Sequence, residues 1–430
     1  MQRKAMKDLI EWKESHDGKP LIIYGPRQVG KTYLVREFAK MYYDNIFEVN
    51  FELDKSASIM FQGNLTVKNL MMHLSAYDID NIILPKKTLI FFDEVQKCPD
   101  VLTALKSFAM DGRYDVIASG SMLGVTLHQV SSYPVGYVKT LYMKPLSFEE
   151  FLWANKYTEE HIKLIEEFYL KEEQVSPGLH EIFNDLFLQY IVVGGMPEAV
   201  ATFVKTRNIA LVAKVQKDIL EDYNKDLAKY ASSNVKEKVR ECYKSIPDQL
   251  AMENKKFQYK QVKGSGNARY YSSSITWLED AGLIYKVNRL KAFDIPLRAY
   301  RDVSSFKLYF VDTGLLLSMY EEDNIQSEIL NGNLGIFKGA LFENVIAQIL
   351  ISNEMPIYYY RRDDRLEIDF VTNLNNRIIP IEVKSGKNTK SISLSNIINK
   401  EELEYGIKLS MNNVNCSNSR FKCFPLYMAM

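Results

Sequence analysis

Histidine and cysteine are both scarce in this chain. The five histidines stand at positions 16, 73, 128, 161 and 180, so the last 250 residues contain none. Acid–base or metal chemistry in that part must use carboxylates, lysine, serine or tyrosine. The four cysteines, Cys98, Cys242, Cys416 and Cys423, are too few and too scattered for a disulfide framework. The spacing of the last two matches no common zinc or redox motif, so all four are expected as core thiols. Charge of one sign is lacking as well. Lys+Arg and Asp+Glu both number 54, which leaves no global field to draw in nucleic acid or anionic lipid, and any polyanion site must be a local patch. No stretch offers the roughly 18 uncharged apolar residues of a membrane span, and the first twenty residues lack the apolar core of a secretory signal. A cytoplasmic protein with no membrane partner is expected.

At 430 residues, 47% hydrophobic and 25% charged, the chain has the composition of a folded protein. It is too long for one core, and about 150 residues per domain gives roughly three units. From residue 21 to 120, short apolar runs (LIIY, NIFEVNF, TLIFFDE, DVIASGS) alternate with helical patterns, as in parallel βαβ units. Residues 147–230 turn to a helical period. Between 235 and 312 come a helix, a Gly/Ser-punctuated basic stretch, a second helix and two strand-like runs, the order of a winged helix-turn-helix. After 335 a helix (FKGALFENVIAQILIS) leads to the runs PIYYYR, LEIDFVT and RIIPIEVKS, with a last strand near FPLYMAM. The expected organisation is an α/β P-loop domain over 1–155, a helical region over 156–234, a winged-helix-like domain over 235–315 and a second α/β domain over 316–430.

Gly25-Pro26-Arg27-Gln28-Val29-Gly30-Lys31-Thr32 matches G-x-x-x-x-G-K-[ST], directly after the apolar run LIIY and directly before the helical KTYLVREFAK. The glycines let such a loop bend until its N–H groups and the helix N-terminus face phosphates. Lys31 then reaches the β- and γ-phosphates of ATP and Thr32 ligates Mg²⁺. A second motif strengthens the first: TLIFF ends in Asp93 and Glu94, placed to hold Mg²⁺ and to deprotonate an attacking water. A third run, DVIAS, ends in Ser119, Gly120 and Ser121; Ser121 is the first candidate and Ser119 the second for sensing the γ-phosphate.

With GPRQVGKT, FFDE, SGSMLG and Pro145-Leu-Ser-Phe-Glu-Glu-Phe151 in this order, the first 155 residues resemble the AAA-type ATPase domain of a large prokaryotic family. In that family the ATPase is fused to a C-terminal region of unknown function. Gly194-Gly-Met-Pro-Glu198, Leu278-Glu-Asp-Ala-Gly-Leu283, Tyr309-Phe-Val-Asp-Thr-Gly314 and Gly339-Ala-Leu-Phe-Glu-Asn344 resemble that region. The resemblance implies ATP and Mg²⁺ binding, a winged-helix segment and a nuclease-like C-terminal fold, without implying a substrate. One position departs: where the family often has a basic residue after Pro-Val-Gly, this chain has Tyr137. AAA-type sites are often completed by a neighbouring subunit, which keeps a homo-oligomer in view, but spacing selects neither Arg27 nor Arg113 as an arginine finger.

Asp369 in EIDFV and Glu382-Val-Lys384 in PIEVKS fit the D…(D/E)-x-K core of restriction-endonuclease-like domains, with Glu343 on the preceding helix. Carboxylates on adjacent strands can hold a second divalent cation, and an ammonium two residues on, on the same face, can activate water beside a phosphodiester. The same spacing also describes a half-exposed strand with an ion pair. Residues 254–269, NKKFQYKQVKGSGNAR, carry Lys255, Lys256, Lys260, Lys263 and Arg269 without an acid. A winged helix uses such a stretch against a phosphate backbone, and Lys387 and Lys390 extend it in sequence; a surface for packing or protein contact fits equally. Three readings stay open: an ATPase coupled to the C-terminal module and acting on double-stranded DNA, an ATP-regulated metal-dependent endonuclease, and a nucleotide-gated switch for a protein partner.

Overall fold

The computed structural model describes all residues except 122–133, 231–232, 265, 321–324, 332–336, 364–365, 386–390 and 419. The chain divides into two compact units, residues 1–144 with 280–282 and residues 145–279 with 283–430. No helix among the described residues is long and apolar enough to cross a membrane.

In the first unit, β1 (Leu21–Tyr24), β2 (Asn45–Asn50), β3 (Thr88–Asp93), β4 (Asp115–Gly120) and β5 (Lys139–Tyr142) form one sheet. Its order is β2-β3-β4-β1-β5 and every neighbouring pair is parallel. Among the described residues four α-helices accompany it: α1 (Ala5–Glu14), α2 (Lys31–Tyr42), α3 (Val67–Tyr77) and α4 (Asp100–Asp111). An inner strand of a parallel sheet is covered on both faces, which is why β3 reads TLIFFD and is buried throughout. Its Phe92 ring meets Phe61 edge-on at 5.2 Å and lies near Phe51 and Phe108, giving the core an aromatic centre. The position of β4 matters most for function. It lies between β1 and β3, so the loops leaving all three strands emerge side by side at the carboxyl edge, where open parallel sheets bind ligands.

The second unit begins with the PLSFEEF motif, whose Ser147 and Glu150 form a reciprocal capping box on the helix Phe148–Ala154. Helices Glu159–Lys171, Pro177–Val193, Pro197–Thr206 and Ile209–Tyr230 follow. Then come β6 (Ile284–Leu290), β7 (Arg301–Phe310), β8 (Ile357–Asp363), β9 (Leu366–Leu374), β10 (Arg377–Val383), β11 (Gly406–Ser410), β12 (Asn415–Asn418) and β13 (Phe421–Pro425). All eight share one mixed sheet in the order β12-β13-β11-β10-β9-β8-β6-β7. The antiparallel pair β6-β7 therefore runs on into the C-terminal strands, through the parallel pairing of Arg289 with Tyr359 and Leu290 with Tyr360.

Two sequence motifs meet inside this unit. The Asp312 carboxylate accepts from the N–H groups of Gly195 at 2.6 Å and Leu315 at 3.0 Å. Gly194 has φ +73°, and a Cβ there would stand 2.2 Å from Asp312 Oδ1, so the GG of GGMPE and the D of VDTG are matched to each other. Burial pushes the Asp312 carboxyl up to about 6, against the lowering effect of those N–H bonds. The buried helix Lys338–Ser352 is fixed in the same way: Asn344 bonds the Phe310 backbone, and Gln348 accepts from Thr313 and donates to Tyr190 Oη.

Candidate functional site: a phosphate-binding loop and its acids

The loop from Gly25 to Thr32 is shaped by backbone positions that side chains would disturb. Gly25 has φ +145°, and a Cβ there would lie 2.1 Å from Met143 O. Gly30, at φ +91°, opens α2. Gln28 occupies the left-handed region at φ +63° without being glycine, which is local strain of the kind ligand loops hold. Pro26 and Val29 are buried, Arg27 is half-buried and Gln28 exposed. Arg3 clamps the loop from outside, donating 2.7 Å bonds to Val29 O and Lys144 O.

Lys31 points into the loop, its Nζ 2.7 Å from Pro26 O and 3.0 Å from Gly25 O. Burial lowers its pKa from 10.5 to about 8, although Glu94 and Asp93 pull the other way. Asp93, 2% exposed, is ringed by donors: Thr32 Oγ1 and Asn50 Nδ2 at 2.9 Å, the Glu94 N–H at 3.1 Å, and Ser119 Oγ. Burial, and after it the neighbouring Glu94, raises the Asp93 carboxyl against the Ser119 and Thr32 bonds. Glu94 sits at φ +57°, another strained residue, and its carboxylate accepts from Ser121 Oγ at 3.2 Å and from Gln96.

Thr32, Asp93, Glu94, Ser119 and Ser121 are thus brought together from α2, β3 and β4. A hydroxyl and a carboxylate side by side are hard oxygen donors, the set that Mg²⁺ takes together with phosphate oxygens. Asn50, Arg3 and Gln96 were not singled out in the sequence. Asn50 had a signal, a polar side chain at the carboxyl end of a strand; Arg3 and Gln96 had none. Arg113 forks onto Asp111 at 2.7 and 2.8 Å. Of the SGSMLG run, residues 122–124 lie outside the described residues, as do Lys387 and Lys390.

The carboxylates of the second unit are arranged differently from the expectation. Asp369 Oδ2 accepts the Val383 N–H at 2.8 Å, and Glu382, one step beyond the Ile381–Phe370 pair, lies across from Asp369. Glu343 binds Lys255 and Lys307 rather than sharing a cation with Asp369. Glu382 is held by Lys384 at 2.6 Å. Among the described residues no group of three or more His, Cys, Asp or Glu is placed to hold a metal ion. The expected second divalent cation is therefore not supported by the described residues: lysines hold Glu343 and Glu382, and Asp369 accepts a backbone N–H.

The basic stretch is divided. Lys255 turns inward to Glu343, its side chain 15% exposed, while Lys260, Lys263 and Arg269 are exposed and Lys256 is half-buried. Lys263 pairs with Glu241 at 3.0 Å. The helix Ala268–Asp280 buries Tyr271, Ser274, Ile275 and Leu278 and leaves Arg269, Ser272, Ser273 and Thr276 outside.

Residues 17–152 match the model of an AAA domain, and residues 184–326 and 338–428 match two domains of unknown function. No curated protein matches. Similar solved structures include the Walker-type ATPase PABY2304 of Pyrococcus abyssi, at 12% identity and TM-score 0.45, over 74% of this chain and 95% of that one. Cdc6p from Pyrobaculum aerophilum is similar at 11% identity and TM-score 0.28, over 77% and 94%. Drosophila ORC bound to DNA gives 12% and 0.30, over 74% and 95%. The loop, the two acids at the end of β3 and the matched domain agree: residues 17–152 form an AAA-type P-loop ATPase domain, joined to a C-terminal region that matches domains of unknown function.

Proposed function

We propose that the protein binds MgATP at residues 25–32, hydrolyses it, and uses nucleotide state to govern what its second unit holds. The observation that carries this reading is the convergence of Thr32, Asp93 and Ser119, with Glu94 and Ser121 beside them, at adjacent strand ends. Loop N–H groups and the N-terminus of α2 receive the phosphates. Lys31 neutralises the β- and γ-phosphates, and Thr32 and Asp93 hold Mg²⁺, which offsets the charge on the transferred group. Glu94 takes the proton of the attacking water, with Ser121 and Gln96 fixing its carboxylate. Ser121, which donates to Glu94, is also the candidate to report a γ-phosphate. Glu94→Gln is the test: it keeps the shape and loses the base, so ATP should bind with unchanged affinity while turnover falls by about 10²–10⁴.

Double-stranded DNA is the partner this reading assigns to the second unit. The helices Ser233–Ala251, Tyr259–Val262 and Ala268–Asp280 followed by the β6-β7 pair have the order of a winged helix. The outer face formed by Arg269, Ser272, Ser273 and Thr276, with Lys260 and Lys263 near in sequence, suits phosphate contacts. Binding should then weaken steeply with salt, and Lys260→Ala with Arg269→Ala should flatten that slope by about one counterion per lost phosphate contact. An ATPase rate indifferent to duplex DNA, with no retention of DNA at low salt, rejects this partner and leaves a protein partner.

A further inference from the structure

The cluster around Glu343 and Asp369 has its counter-charges built in. Glu343, 4% exposed, receives Lys255 Nζ, Lys307 Nζ at 3.4 Å and Tyr309 Oη at 3.3 Å. Lys307 also reaches Glu367 at 2.7 Å, and Arg361 bonds the same carboxylate at 3.0 Å. Lys384 stands against Glu382. Of the four acids here, Glu343, Glu367 and Glu382 each touch a lysine or arginine, while Asp369 accepts the Val383 N–H. A divalent cation needs a surplus of negative charge from ligand oxygens free to turn toward it. Among the described residues, the carboxylates of Glu343, Glu367 and Glu382 are held by cationic side chains and are not free to turn. One of their oxygens, Glu382 Oε2, is buried without a hydrogen-bond partner, but that carboxylate is already paired with Lys384.

Lys307 decides the matter because it cannot swing aside. It lies on β7 within the apolar run KLYFVD, its side chain is 1% exposed, and leaving Glu343 would strand two buried charges. Three elements meet at its ammonium: β7 through Lys307 itself, the helix Lys338–Ser352 through Glu343, and β9 through Glu367. We propose that the Lys307 ammonium supplies to Glu343 and Glu367 the positive charge that a divalent cation would otherwise bring, so that this cluster is a metal-free charge lock joining helix to sheet and does not cut DNA.

The test compares nucleotide-free wild type with Asp369→Asn, titrating both with Mn²⁺ by electron paramagnetic resonance and incubating both with supercoiled plasmid in Mn²⁺ and in Mg²⁺. Identical Mn²⁺ isotherms and intact plasmid are expected, since any weak site at Asp93 is common to both. One Mn²⁺ equivalent present in wild type and absent in Asp369→Asn overturns the proposal, and so does nicking lost in that variant. The lock has its own readout. Lys307→Met should lower the urea midpoint sharply or prevent folding, and adding Glu343→Gln should restore a folded chain with a higher midpoint than Lys307→Met alone. A double variant no more stable than Lys307→Met would show that the two charges do not hold each other, and would sink the idea.

Discussion

Removing the ammonium of Lys31 should abolish nucleotide binding and, at neutral pH, relieve the protein of an electrostatic cost. The side chain is 5% exposed, and burial brings its pKa from 10.5 to about 8. At about 1.4 kcal/mol per pH unit, that fall corresponds to about 3 kcal/mol of destabilisation while both folded and unfolded chains carry the proton. The sign follows from proton counting. Below pH 8 both states are protonated and the native state bears the full penalty. Between pH 8 and 10.5 the unfolded chain binds more protons than the native one, so stability rises with pH. The penalty is gone above 10.5. Lys31→Met deletes this pH-dependent part while also losing the bonds to Gly25 O and Pro26 O, which are pH-independent below 8. Urea unfolding of wild type and Lys31→Met at pH 7 and pH 10 isolates the effect, because all other titrations cancel in the difference. Wild type should gain about 2–3 kcal/mol on the variant across that interval. A stability difference that does not move with pH, or one that moves in favour of Lys31→Met, would refute the assignment of a buried, strained charge awaiting phosphate.

Gly194→Ala should destabilise the second unit by more than the 1–3 kcal/mol typical of a strained backbone position, because the new Cβ would meet Asp312 Oδ1 at 2.2 Å at a φ of +73°; thermal unfolding measures it, and a cost under about 0.5 kcal/mol would contradict the Gly194–Asp312 match. The Asp312 carboxyl is raised from 3.8 to about 6, so its contribution is fully present below pH 3.8 and is lost as pH climbs through 6. Relative to Asp312→Asn, wild type should lose about 2 kcal/mol between pH 4 and pH 7 in urea titrations, and a gain over that range would mean the carboxylate is better stabilised in the folded chain than burial allows.

The proposed nucleotide site was largely legible because its chemistry imposes local spacing. Gly25, Gly30, Lys31 and Thr32 are tied to one loop, and Asp93 and Glu94 to the end of one apolar strand. What the sequence could not reveal was strand order. Asn50 and Ser119 converge on Asp93 only because β3 is flanked by β2 and β4, and that arrangement depends on two crossovers with no local mark. Arg3 bonds Val29 O across 26 positions, a contact that likewise has no local mark in the sequence. In the second unit, Lys255 read as part of an exposed basic run, yet its partner Glu343 lies 88 positions away. Opposite charges so far apart give no periodic signal, and the fold alone decides that they meet. The D…E-x-K spacing was visible; that Lys307 would reach Glu343 and Glu367 was not.

The most direct test of the nucleotide site measures phosphate release from ATP by the purified chain in Mg²⁺, alongside ATP binding, for wild type and Glu94→Gln. If Glu94 is the base, wild type turns over, while Glu94→Gln binds ATP equally well and hydrolyses it about 10²–10⁴ times more slowly. Hydrolysis by Glu94→Gln at the wild-type rate would contradict the assignment of the water-activating base to the end of β3.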